Sequence, residues 1–160
     1  MPDRELAHGS ATASARAPVI SRRVLIASSA FGPRLPAERV IAAIARGLLA
    51  GGLPEPDRCV LDERAQAPRA KLAELDLEAR MRASHAVIIG DRLLREQTLV
   101  GSTTFEIATS ARQAGVPAYA VTTHNQLDAF DARILDLQLI LEADSARALA
   151  AAGRRLAAVV

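Results

Sequence analysis

Short, largely apolar runs recur along this chain, the first and third of them without a polar break, each parted from the next by a stretch of another character. The runs are RVLIAS (23–28), RCVLD (58–62), HAVIIG (85–90), VPAYAVTT (116–123) and ILDLQLIL (134–141). A strand with one wet face alternates apolar and polar residues. A run without alternation is buried on both faces. The stretches between the runs carry helical stripes. AERVIAAIARGLLA sets Val40, Ile41, Ile44, Leu48 and Leu49 on one face, behind Pro36 and ahead of Gly51-Gly52. Residues 69–83 predict one amphipathic helix with Leu72, Leu75, Leu77, Ala79 and Met81 inward. TTFEIATSARQAG (103–115) predicts a third helix that Gly115 closes, and Asp144-Ser145 caps a last Ala/Leu/Arg helix.

Strands alternating with helices, without a hairpin signal, predict parallel strands and right-handed crossovers. The expected class is α/β: a three-layer, doubly wound, mainly parallel five-stranded sheet with helices on both faces. Only a short link is expected between the fourth and fifth strands. Residues 1–20 read as a flexible tail and 21–160 as a single Rossmann-like domain.

Composition narrows the function. Aromatics are 2% of the 160 residues, so stacking platforms for single-stranded nucleic acid are scarce. A net charge of +2, with arginines scattered, makes no nucleic-acid stripe. No apolar run approaches the ~20 residues of a membrane span, and Asp3 and Glu5 argue against a signal peptide. The expected compartment is the cytoplasm, and neither nucleic acid nor membrane is expected as a partner. Cys59 is the one cysteine, in a strand, which predicts a buried apolar role. Lys71 is the one lysine and lies on a polar helix face, so a GxxxxGK[ST] phosphate loop is excluded. No metal-ligand spacing and no GxSxG elbow occurs.

Sites in doubly wound folds lie beyond the carboxyl ends of the strands. Here those ends are SSAFGPR, DERAQ, GDRLLREQT, TTHNQ and EADS. Gly101, Ser102, Thr103 and Thr104 open a helix. They offer either an N-cap or, through free N–H groups, an anion site. Asp91 follows the terminal Gly90; it can bind magnesium, take a proton from a hydroxyl, or pair with Arg92 or Arg95. His124-Asn125 is a further polar pair, or a surface turn. The residues alone predict an α/β domain with a small-anion pocket.

VLIASSAFGPRLPAERVIAAIARGL and ASHAVIIGDRLLREQTLVGSTTFEIATSARQAGVPAYAVTT carry a resemblance. They resemble the bacterial type of glycerate kinase, whose motifs run IAPDSFKGSLSA…VAEAIxRGL and ADLVITGEGRLDxQTLxGKxPxxVAxxAxxxGVPVIALxG. Gln97, Thr98, Leu99 and Gly101, followed by AxxxGVP, are its most specific part, and it spans 23 to about 160. It implies ATP-dependent phosphorylation of glycerate, with ATP and magnesium as cofactors. Taken with the loop residues, it leaves a candidate site with Asp91 as the catalytic residue and Ser29, Arg34, Gly90, Arg92, Arg95, Thr98, Gly101, Ser102, Thr103, His124 and Asn125 as ligand contacts, Arg34, Arg92 and Arg95 standing in for the family's lysines. The departures fall on the charged positions. Where the family has Asp, Lys and Gly, this chain has Ser29, Gly32 and Pro33. GEGRLD becomes GDRLLR, and the lysine of TLxGK becomes Ser102. Family members are more than twice as long, with a second domain inserted between the second and third strands. Here about twenty residues separate Asp62 from His85. The expectation is a homologue with weak catalysis or none: a pseudoenzyme that binds a small acidic metabolite or nucleotide. The alternatives are a working kinase of altered chemistry and a non-catalytic, oligomerising module without cofactor. A homo-oligomer, such as a dimer, is expected in each case. Leu149, Leu156 and Val159 on the last helix offer either its interface or packing onto the sheet.

Overall fold

A computed structural model describes residues 22–62, 64, 66–96 and 101–160. The predicted tail over 1–20, and Gln97, Thr98 and Leu99 of the motif, lie outside the described residues. The elements run β1 (Val24–Ser28), α1 (Ala37–Ala50), β2 (Asp57–Val60), α2 (Pro68–Glu74), α3 (Leu77–Arg82), β3 (Ala86–Gly90) and β4 (Leu93–Leu94). They continue α4 (Thr103–Ala114), β5 (Ala118–Thr122), β6 (His124–Asn125), α5 (Ala129–Leu135), β7 (Leu137–Glu142) and α6 (Ala146–Ala157).

Five parallel strands form one sheet in the order β2-β1-β3-β5-β7. The three inner strands are buried at every residue, which is why their sequences do not alternate. One core cluster joins the sheet to Ile41, Ile44 and Leu48 of α1 and to Leu149 and Leu156 of α6. The other joins it to Leu72, Met81, Ile107 and Leu135, from α2, α3, α4 and α5. The sheet is therefore covered on both faces, and the α/β, doubly wound expectation holds. The chain leaves β1 toward β2, then returns to lay β3 on the other side of β1. That reversal places the topological switch point between β1 and β3.

Three local expectations need correction. The single helix over 69–83 is broken between Leu75 and Asp76, with Asp76 at φ 55°. Aspartate tolerates this left-handed region better than most residues. The break resets the phase: Leu72, Leu77 and Met81 are buried, whereas Ala79 is exposed and Leu75 only partly covered. The link between the last two strands is not merely short but holds α5, which takes the first residues of the run 134–141 and leaves the strand within it to begin at Leu137. Leu49 of α1 is 42% exposed, off the inward stripe. Leu149 and Leu156 face the core, which assigns that side of the last helix to its own sheet.

Helices α1 and α6 meet backbone to backbone. A Cβ on Gly47 would collide with the carbonyl oxygen of Ala150, and one on Gly153 with that of Ile44. In an open helix, Gly→Ala gains about 1 kcal/mol; here overpacking opposes it. Edge strand β2 is held differently. Arg80 of α3 grips both carboxylate oxygens of Asp57 at 2.8 Å and donates to the Arg58 carbonyl at 2.7 Å. The Arg80 guanidinium holds the Asp57 carboxyl below its ordinary range, against a smaller opposing effect of burial.

We expect Gly47→Ala to lower the unfolding free energy by about 1–3 kcal/mol despite its helix propensity, read as a fall in the urea midpoint. Asp57→Asn should cost about 1–3 kcal/mol at pH 7. Because the folded-state pKa is depressed, the stabilisation is complete above roughly pH 4 and is lost as pH falls through the folded value. Urea curves of the two proteins should therefore converge in acid; a gap that persists there would contradict the ion-pair account.

Candidate functional site

At the switch point, β1 ends in Ser28-Ser29 and β3 ends in Gly90-Asp91. Ser28 pairs with Gly90, and the Ser29 amide donates to the Gly90 carbonyl at 3.2 Å. The two strands touch so closely here that a Cβ on residue 90 would strike the Ser28 hydroxyl and Cβ. Gly90 is thus fixed by packing as well as by its place in the loop.

Asp91 turns its carboxylate to the next element. Oδ2 accepts from the Thr104 hydroxyl at 2.6 Å, and Oδ1 accepts from the Leu93 amide at 3.3 Å. Its own amide donates to the Val121 carbonyl at 3.1 Å. The expected acid is present, with its hydrogen bonds directed to a hydroxyl and an amide. Thr104 is 4% exposed, so the Asp91–Thr104 bond is a clamp from the end of β3 to the first turn of α4. Gly101, at φ 72°, delivers the chain into that helix in a conformation glycine adopts without strain. The Ser102 hydroxyl caps it by accepting from the Phe105 amide at 3.1 Å.

These pieces wall a cleft of about 400 Å³. Ser29, Gly90, Asp91, Arg92, Arg95, Gly101, Ser102 and Thr103, all read from the sequence as site residues, line it together. Thr104, read with them as part of the helix-opening patch, lines it as well, and so do Asp62 and Pro68, which were not singled out. Asp62 stands at the carboxyl end of β2, the position that would have marked it, and its Oδ1 accepts from the Arg64 amide at 2.9 Å.

The remaining predicted residues lie elsewhere. Thr98 is outside the described residues. Arg34 is exposed in the turn before α1 and does not line the cleft. His124 lines a neighbouring cleft with Arg92, Leu93 and Thr123. Asn125 ends β6 and lines neither cleft, its Oδ1 accepting from the Leu127 amide at 3.1 Å. The cause is a small parallel ladder, Leu93 with His124 and Leu94 with Asn125, that prolongs β3 and β5 beyond the sheet. The buried Thr122 hydroxyl pins it, accepting from the His124 amide at 3.2 Å and lying 3.1 Å from the Arg92 carbonyl. The crevice between β3 and β5 is thereby zipped shut, and the one between β1 and β3 stays open.

Elsewhere, burial pushes the Cys59 thiol up, so it is protonated and hidden. Lys71 is exposed and pairs with Glu74. A groove between α2, α3 and α4, crossed by the Arg69–Glu106 pair, contains none of the predicted site residues. Among the described residues no group of three or more His, Cys, Asp or Glu side chains is placed to hold a metal, and no helix is long and apolar enough to cross a membrane.

No protein-family model matches this chain, and no curated protein matches it significantly. Among solved structures it is similar to a protein assigned as glycerate kinase 2 from Salmonella typhimurium LT2, at 16% identity and a TM-score of 0.43. The match covers 64% of this chain and 28% of that one, so this chain corresponds to under a third of that protein's length. No residue role is taken from it.

Thr104→Val should break the clamp while keeping the side-chain shape. We expect a loss of about 1–2 kcal/mol and faster amide exchange over 91–96 and the first turn of α4. Unchanged exchange in both segments would mean that Asp91 does not brace the cleft.

Proposed function

We propose that this chain binds a small organic anion in the cleft between β1 and β3, on a glycerate kinase-like scaffold whose phosphoryl-transfer chemistry is weak or lost. The carrying observation is the convergence, in one cleft at the switch point, of Arg92, Arg95 and the capped N-terminus of α4. Guanidinium groups recognise carboxylate and phosphate through paired N–H donors, and a helix N-terminus adds a partial positive charge. The serine and threonine hydroxyls of the same walls suit a hydroxylated ligand. The motif likeness in the sequence favours a hydroxy acid such as glycerate among the small acidic metabolites.

The donor set fits a magnesium–nucleotide poorly: no lysine lines the cleft, and its two carboxylates among the described residues, Asp62 and Asp91, already accept hydrogen bonds from the protein. Magnesium in such sites is held by one or two carboxylates that keep lone pairs for the metal and its waters. Asp91 already accepts from Thr104 and from Leu93. The lysines of the resembled motif are replaced by Gly32 and Ser102. Phosphoryl transfer relies on positioned cations to neutralise developing charge. Here Asp91 serves as a brace, and no transfer step is assigned to it.

The test is calorimetric titration of the full chain with glycerate, with inorganic phosphate and with Mg-ATP, repeated on Arg92→Ala. We expect one of the two simple anions to bind, its affinity to fall roughly tenfold in the variant, and magnesium to be dispensable. Absence of heat from both anions at millimolar concentration would refute the binding reading. Labelled γ-phosphate reaching glycerate at the roughly 1–100 s⁻¹ of ordinary kinases would refute the loss of catalysis.

A further inference from the structure

Helix α5 presents an apolar pair to solvent. Phe130 is 69% exposed and Ile134, one turn on, is 39% exposed. Phe130 is one of three phenylalanines in the chain. Acids surround the pair: Asp128, Asp131 and Asp136 against the single Arg133. None of them enters an ion pair among the described residues; the pairs there all lie on residues from Glu55 to Glu106. This is an apolar knob inside an uncompensated negative rim.

The complementary surface is on the same chain. Helix α6 carries Arg147, Arg154 and Arg155 and no acid. Beside it lies a cleft of about 240 Å³, lined by Leu141, Glu142, Ala148, Ala151, Ala152 and Arg155. Alanines leave space for an aromatic ring, and Arg155 can lie over its face as a cation on a π-system. Glu142, the one acid there, spends an oxygen on the Asn125 amide at 2.8 Å.

A molecule cannot fill its own cleft. Leu135 anchors α5 to one face of the sheet, while Leu149 and Leu156 anchor α6 to the other. Both features flank the margin of the sheet formed by β7, an edge strand that runs directly on from α5. A two-fold axis along that margin exchanges the two faces, so the contact can be made twice and close. The opposite margin is blunted: β2 is short and its charged residues are tied up by Glu55 and Arg80.

We propose that a second copy of this chain docks at the β7 margin, Phe130 of each copy seating in the alanine-walled cleft beside α6 of the other. This interface is independent of the anion cleft.

Sedimentation velocity on the full chain should show a concentration-dependent dimer. Phe130→Ser should weaken it about tenfold or more, and so should salt raised to about 0.5 M; the substituted residue is exposed in the single chain, so the thermal midpoint at concentrations too low for the dimer should be unchanged. Ala129→Cys and Ala151→Cys proteins, mixed under oxidising conditions, should give a cross-linked dimer that neither forms alone. A monomer at every concentration, a dimer indifferent to Phe130→Ser and to salt, or a mixture without cross-link would each overturn the proposal.

Discussion

The parallel pairing of β1 with β3 is the constraint on which the rest of the molecule depends. These strands are adjacent in space but separated in sequence by α1, β2, α2 and α3. Their contact has no local driving force and must be won from burial. Val24, Leu25, Ile26, Ala27, Val87, Ile88 and Ile89 are almost wholly hidden, and each large aliphatic side chain contributes roughly 1.5–3 kcal/mol. Once that pairing forms, Ser28 lies against Gly90, and the loops that follow both strands share one opening. The α1–α6 contact depends on it in turn. Two helices on one face of five strands must approach closely, and Gly47 and Gly153 supply the space.

The Asp91–Thr104 bond shows how one geometry answers a question that residue identity leaves open. An acid at the end of a central strand has the makings of a base, a metal ligand or an ion-pair partner. A carboxylate with both oxygens engaged, one by a buried hydroxyl at 2.6 Å, has less capacity for each of those roles. Taking a proton from a substrate would neutralise the carboxylate and weaken a charge-assisted bond worth about 1.5–3 kcal/mol net. Holding the cleft open needs no such rearrangement.

Most of the fold was legible because burial on two faces writes itself directly into sequence. The inner strands and α1, α4 and α6 follow from apolar runs, stripes and caps. What escaped depends on contacts remote in sequence. The break at Asp76 interrupts a pattern that reads smoothly through it, because Leu75 and Leu77 satisfy the helical stripe whichever way the chain turns. Helix α5 is too short for its stripe to rise above the apolar run that follows. The ladder of Leu93-Leu94 with His124-Asn125 is set by the buried Thr122 hydroxyl, which no periodicity marks. That ladder is also why His124 and Asn125, reasonable candidates from their place after a strand, stand apart from the cleft. The cleft residues on β3 and α4 were readable because they are nearly contiguous. Asp62 and Pro68 reach it only through the pairing of β2 with β1.

The cleft's openness sets the scale of what it can do. At about 400 Å³ it lies toward the small end of ligand sites, and Arg92 and Arg95 on its rim are exposed. Exposed charges interact through water, so each guanidinium–anion contact is worth far less here than in a closed site. On the proposed reading, affinity for a small anion is accordingly modest, and discrimination comes from the hydroxyls and amides of the α4 turn, which Asp91 braces. Chemistry on such a ligand requires a second body to exclude water and strengthen those same contacts. Among the described residues, α2 lines the cleft only through Pro68, at its first turn. On the proposed reading, an open cleft with its charges in water suits recognition of an anion better than turnover.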